Sequence, residues 1–132
     1  MAAGFSLLEL VITLAMAGLI VGAGVAGAAA LADSLSVEAA RRVVIDALLE
    51  ARRRAYLQES LISVRTPVAA SFVEIAPPPR HIDLPAGVAI TKAPADAAVD
   101  FRASGLADNA TVQLGRGSAS ATIVVNQRGM VR

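Results

Sequence analysis

The chain opens on one long apolar stretch and then settles into two successive periodicities. No charged residue occurs from Leu10 to Ala32. As a helix this stretch spans roughly 35 Å, enough to cross a hydrocarbon core of about 30 Å. Beyond it, Leu35, Ala39, Val43, Ala47, Ala51 and Ala55 recur every fourth residue, with Val44, Leu48 and Leu57 beside them, one face of an α-helix. Glu38 precedes Arg41 by three positions and Arg42 by four, and Glu50 precedes Arg54 by four, the order that supports a helix. The first proline is Pro67. The pattern predicts one helix from about Phe5 to about Ser60, on the order of 80 Å long. Its first half is apolar all round. Its second half is amphipathic and needs a sheet to lie against. Gly18, Gly22, Gly24 and Gly27 punctuate the apolar half, either for close approach to other helices or as points of local unwinding.

After Ser60 the period changes to two. Strands are expected at Leu61–Arg65, Ser71–Ile75, Val88–Thr91, Val99–Arg102, Thr111–Leu114 and Ala121–Val125, with a short last piece near Met130–Arg132. Gly115-Arg116-Gly117-Ser118 reads as a hairpin connection, and Pro77-Pro78-Pro79 as a stiff exposed linker. The expected architecture is α+β: a long N-terminal helix, membrane-spanning in its first half, packed by its second half on a C-terminal antiparallel sheet domain.

Composition narrows the function. The 132 residues allow one small domain plus an extended element. The formal net charge of +1 selects no partner. There is no cysteine, which excludes a disulfide framework, a thiolate metal site and a cysteine nucleophile. His81 is the lone histidine, and beside Pro79, Arg80 and Asp83 it reads as a surface residue. No Gly-x-Ser-x-Gly, phosphate-loop or calcium-loop pattern occurs. Asp96, Asp100 and Asp108 show no partner at a spacing that makes a catalytic pair. The Arg52-Arg53-Arg54 run, flanked by Glu50 and Glu59, reads as a solvated helix face. The expectation is a protein that is not an enzyme, with no cofactor, metal or small-molecule substrate.

The N-terminus admits three readings. A secretory signal peptide would end in a small-residue site, for which Ala28-Ala29-Ala30 would serve, but it would carry a basic start and a shorter apolar run. A plain membrane anchor fits the length and leaves Glu9 unexplained, since a carboxylate at the entrance of an apolar span is costly unless neutralised or paired. The third reading accounts for that acid. Gly4-Phe5-Ser6-Leu7-Leu8-Glu9-Leu10 resembles the type III signal of type IV pilins and type II secretion pseudopilins. The resemblance implies cleavage by a prepilin peptidase between Gly4 and Phe5, and N-methylation of the Phe5 amine. It also implies a pairing of Glu9 with the N-terminal amine of a neighbouring subunit. Such a pair fixes the register between subunits, because breaking either half leaves an uncompensated charge. Family leaders usually carry Lys or Arg before the glycine, and residues 1–3 here carry neither. Orientation with the leader in the cytoplasm is therefore implied by the resemblance and not by charge.

A second resemblance lies at the other end. Phe101 and Gly105, then a hairpin, then Gly129 and Arg132 are similar to the C-terminal region of the H-type minor pseudopilins of type II secretion and their minor-pilin relatives. Met130 stands where the terminal Gly-Arg-x-Arg of that group has its first arginine. The two resemblances imply a leader at 1–4, a transmembrane and filament-core helix at 5–32, an amphipathic continuation at 33–60 and a β-sheet domain at 61–132. They imply a single-pass inner-membrane protein with its C-terminal domain in the periplasm, then in a pseudopilus. The implied partners are prepilin peptidase, other pseudopilins or pilins, and the inner membrane. The alternative is a minor type IV pilin that binds DNA during uptake. From Phe101 onward, Arg102, Arg116, Arg128 and Arg132 face Asp108 alone. On this reading Arg116, Arg128 and Arg132 are the candidate phosphate contacts.

Overall fold

The computed structural model describes residues 6–132. They fall into two compact units, the first ending at Ala32 and the second running from Asp33 to Arg132. Helix α1 covers Leu7–Leu57 without a break. Its start follows Ser6, whose carbonyl accepts the Glu9 and Leu10 N–H groups at 2.9 and 3.1 Å. In the first unit every described side chain is exposed. The four glycines sit within continuous helix, and a Cβ added at any of them would meet nothing within 4 Å, so local unwinding is absent.

The helix ends earlier than the periodicity suggests, and a capping motif shows why. Ser60 N–H bonds to the Ala55 carbonyl at 3.3 Å, and Gln58 N–H to Arg54 O at 2.8 Å. Between them Glu59 adopts φ 50°. A left-handed residue followed by a bond that skips back five positions is the Schellman way of ending a helix. Glycine normally fills that place, so the sequence carries no visible signal for it.

Seven antiparallel strands follow: β1 Ile62–Arg65, β2 Phe72–Ala76, β3 Arg80–Asp83, β4 Ala89–Lys92, β5 Ala98–Phe101, β6 Ala110–Arg116 and β7 Ala119–Val125. They form two sheets rather than one, a four-stranded sheet of order β3-β2-β1-β5 and a three-stranded sheet of order β4-β6-β7. Strand β3 is absent from the sequence reading, because Arg80, His81 and Asp83 are polar and only Ile82 marks a buried side. The three prolines form the turn of the β2–β3 hairpin, closer than the linker expected. Gly117-Ser118 is the two-residue turn between β6 and β7, with Gly117 at φ 56°, and turns of this kind require a positive φ. The last segment is strand-like as expected: Val124 and Arg132 exchange backbone bonds at 2.9 and 3.0 Å.

One hydrophobic cluster fills the second unit. From α1 it takes Val37, Ala40, Val44, Ala47, Leu48, Ala51 and Ala55, and from the sheets such residues as Ile62, Val64, Ile75, Val99, Phe101, Leu114 and Ile123. Alternate residues of β1, β2, β5 and β6 are buried, as period-two patterning requires. On the outer side of α1, Glu38 meets Arg41 and Arg42 at 3.4 and 3.8 Å. Glu50 accepts bonds from both Arg54 and Arg53 at 2.8 Å.

Two predictions follow from this core. Phe101→Ala removes the largest fully buried side chain and should lower stability by about 3–5 kcal/mol, read as a shift of the urea midpoint. The Glu50 carboxyl is held below its ordinary value, first by the Arg54 hydrogen bond and then by that of Arg53. A lowered folded value means that this stabilisation is complete above the ordinary carboxylate range and is lost as pH falls through the lowered value. Stability measured below about pH 5 should therefore fall less steeply in Glu50→Gln than in the unaltered chain.

Candidate functional site

Of the residues singled out at the N-terminus, Gly4 and Phe5 lie outside the described residues. Glu9 sits in the first turn of α1 with its side chain exposed. One turn on, the Thr13 hydroxyl donates to the Glu9 and Leu10 carbonyls at 2.9 and 3.0 Å, so the hydroxyl adds no unpaired polar group to the apolar stretch. Helix α1 is long and apolar enough to cross a membrane within its N-terminal part. A carboxylate is thus displayed near the start of an otherwise uncharged helical surface.

The C-terminal arginines do not form one patch. Arg116 pairs with Ala119 at the turn of the β6–β7 hairpin, whereas Ala110 pairs with Val125 at its other end. Arg128 and Arg132 follow Val125, so the strand length puts Arg116 about 20 Å from that end. Arg116 is also engaged elsewhere. Its guanidinium contacts Asp33 at 2.8 Å, the Ser36 hydroxyl at 2.9 Å and the Ala86 carbonyl at 2.7 Å. It ties the hairpin turn and the β3–β4 loop to α1. Gly87, at φ 79°, lies against the same guanidinium. Arg102 bonds Asp108 at 3.0 Å. Arg128 and Arg132 instead line a shallow polar depression of about 350 Å³ with Asn109, Asn126, Gln127 and Met130.

The residue that sequence reasoning missed is Arg52. It belongs to the basic run, yet it does not act with its neighbours. Its guanidinium donates to the Arg128 carbonyl at 3.3 Å and lies beside Gly105 and Gly129. Both glycines have positive φ, 78° and 68°. A Cβ on Gly129 would collide with the Gly105 carbonyl and crowd the Arg52 side chain. Asn126 completes the turn, its Oδ1 accepting the Arg128 and Met130 N–H groups at 3.0 and 2.9 Å. Phe101 is fully buried. The C-terminal motif residues Phe101, Gly105 and Gly129 are therefore held by packing. The signal for Arg52 was present in those two glycines, but only the fold brings an arginine to them.

The remaining chemistry is sparse. His81 is exposed, its ring 4.0 Å from that of Phe72 and its Nε2 3.7 Å from Asp83. Asp100 accepts the Ser63 hydroxyl at 2.6 Å, and Asp96 accepts the Ala98 N–H at 3.4 Å. Among the described residues, no three His, Cys, Asp or Glu side chains come together in a way that would hold a metal ion.

Comparison with known proteins adds the fold. No protein-family model matches the chain, and no curated protein matches its sequence. Two crystal structures of the type IV minor pilin FimU of Pseudomonas aeruginosa do resemble it. The P21 form has a TM-score of 0.61 at 17% identity, covering 73% of this chain and 86% of that one. The P65 form has a TM-score of 0.57 at 17% identity, covering 72% and 89%. The fold is pilin-like. A long N-terminal helix packed on antiparallel sheets is the shared architecture.

Two experiments test this account of the site. Gly129→Ala should destabilise the chain by about 1–3 kcal/mol, because it combines a left-handed backbone with a steric collision. In a double-mutant cycle measured by thermal unfolding, Asp33→Asn and Arg116→Gln should show a coupling of about 1 kcal/mol.

Proposed function

We propose that the chain is a minor pseudopilin, a structural subunit of a type II secretion pseudopilus, processed by prepilin peptidase and assembled through α1. The observation that carries the reading is one continuous element. Gly4-Phe5 and Glu9 lead directly into a helix unbroken from Leu7 to Leu57, apolar and exposed up to Ala32, which then joins a pilin-like domain. The likeness to FimU supports the fold part of this reading, and the C-terminal residues Phe101, Gly105, Gly129 and Arg132 support the H-type assignment.

The mechanism is assembly. The peptidase cuts after Gly4 and leaves Phe5 with a methylated amine. The subunit sits in the inner membrane as a single-pass protein with residues 33–132 in the periplasm. On assembly, the apolar surface of residues 7–32 exchanges lipid for neighbouring helices, whose close packing is favourable without a hydrophobic driving force. Glu9 meets the Phe5 ammonium of a neighbour. Each charge makes the burial of the other tolerable, and the pair sets the stagger.

The decisive experiment is intact mass and N-terminal sequencing of the membrane-extracted chain, with and without its prepilin peptidase. The expected product begins at methylated Phe5 only when the peptidase is present. A chain beginning at Met1, or near Asp33 after ordinary signal cleavage, overturns the reading. Glu9→Gln should be processed normally and remain in the membrane, while the pelletable filament fraction is lost.

A minor type IV pilin that binds DNA is the second reading, favoured by the polar depression that Arg128 and Arg132 share with Asn109, Asn126 and Gln127. With Arg102 and Arg116 engaged by carboxylates, two arginines remain for phosphate. If both contact duplex DNA, log affinity should fall with log salt at a slope of about −2. Arg128→Ala with Arg132→Ala should abolish that dependence. Absence of measurable binding at low salt removes this reading.

A further inference from the structure

Backbone strain and an unpaired polar group meet at one place in the second unit, the strap of residues 66–71 between β1 and β2. Thr66 is fully buried. Among the described residues its hydroxyl is the one buried side-chain polar atom without a hydrogen-bond partner. Such a hydroxyl opposes the closed structure, because water satisfies it once it is exposed. The Thr66 N–H bonds the Ala97 carbonyl at 2.7 Å. Ala97 has φ 52°, and Ala69, three residues past Thr66, has φ 64°. Both are left-handed positions, where an alanine side chain is disfavoured. Of the three described non-glycine residues with positive φ, two therefore lie beside the unpaired hydroxyl.

In this conformation the strap covers a sheet margin. Ala69 N–H donates to the Ile90 carbonyl at 2.8 Å, and Ile90 N–H to the Ala70 carbonyl at 3.0 Å. Ile90 lies on β4, the edge strand of the three-stranded sheet. At the far end of the strap, Leu84 N–H donates to the Ser71 carbonyl at 2.8 Å. The pairing of β4 with β6 shifts register between Ile90 and Lys92, so the ladder is interrupted where the strap bonds to it. In the middle of the strap Val68 is 60% exposed and adds little apolar burial to hold it down.

We propose that residues 66–71 are a latch, which opens as a unit while the rest of the domain stays folded. The closed latch is held by its backbone bonds to Ala97, Leu84 and Ile90. It is opposed by the Thr66 hydroxyl and by the two left-handed alanines. Opening breaks those bonds, returns the hydroxyl to water and lets Ala69 and Ala97 relax. It also bares the N–H and carbonyl of Ile90, so the latch decides whether the margin of β4 is covered. Local openings of this kind need far less free energy than global unfolding. The device belongs to the second unit alone and does not depend on assembly through α1.

Native-state hydrogen exchange of the full chain in detergent micelles, resolved by residue with NMR, tests the latch. The Ala69 and Ile90 amides should exchange about a hundredfold faster than the slowest amides of β6, the central strand of the same sheet. Their rates should be indifferent to low urea, whereas those of β6 should rise with it. Thr66→Val keeps the branched shape and removes the unpaired hydroxyl, so exchange at Ala69 and Ile90 should slow about tenfold. Equal protection of Ile90 and β6, a shared urea dependence, or unchanged or faster exchange in Thr66→Val would each overturn the proposal. Should that variant fail to fold, the exchange pattern and urea response of the unaltered chain decide the matter by themselves.

Discussion

Small residues on one face of α1 are the constraint on which the second unit depends. Of the seven side chains that the helix buries, Ala40, Ala47, Ala51 and Ala55 are alanine, and Val37, Val44 and Leu48 supply the rest. With small side chains on the helix, the larger volumes come from the strands, where Phe101, Ile62, Ile75, Ile90, Leu114 and Ile123 are fully buried. The sheets of four and three strands each have an apolar face that must be covered to be stable. The helix supplies their common wall, and dense packing leaves little tolerance for change of volume along that seam.

Two arginines then fasten the sheets to that wall at separated points. Arg116 reaches α1 from the hairpin turn at Asp33 and Ser36, and Arg52 reaches from α1 to the C-terminal turn at Arg128. Each lies against glycine with a positive φ, Gly87 for the first, Gly105 and Gly129 for the second. A planar guanidinium with several fixed donors suits such bridging better than an ammonium would. The presence of eleven arginines and one lysine thus has a structural use at two positions, although most of the bias has no such account. The same clamps change how the basic C-terminus is read, since they draw Arg116 away from Arg128 and Arg132.

Long-range periodicity made the helix legible. Its ion pairs Glu38–Arg41, Glu38–Arg42 and Glu50–Arg54 are present as spaced. The strands with alternating aliphatics were readable too, β6 and β2 most plainly. What failed was local and polar. Strand β3 carries Arg80, His81 and Asp83 on an edge, where burial on one side rests on Ile82 alone. The helix end is set by a left-handed Glu59, a conformation that side-chain chemistry does not advertise. The division into two sheets depends on which strands pair, a matter of three-dimensional closure. Asp33 and Arg52, partners of loops 83 and 76 residues away, illustrate the same limit: no local pattern joins a carboxylate or guanidinium to a distant turn.

The chain's own segments also occupy its sheet margins. Ala69 and Ala70 bond Ile90 on β4, Ala107 pairs with Phe101 on β5, and Arg132 bonds Val124 on β7. Strand β3 is an edge of its sheet, four residues long and mostly polar, the kind of margin that discourages further strand pairing. An uncovered strand edge can pair with another chain, and repeated pairing of that kind grows into amyloid-like ribbons. By covering part of its margins from within, this domain offers fewer open edges on which such ribbons could seed.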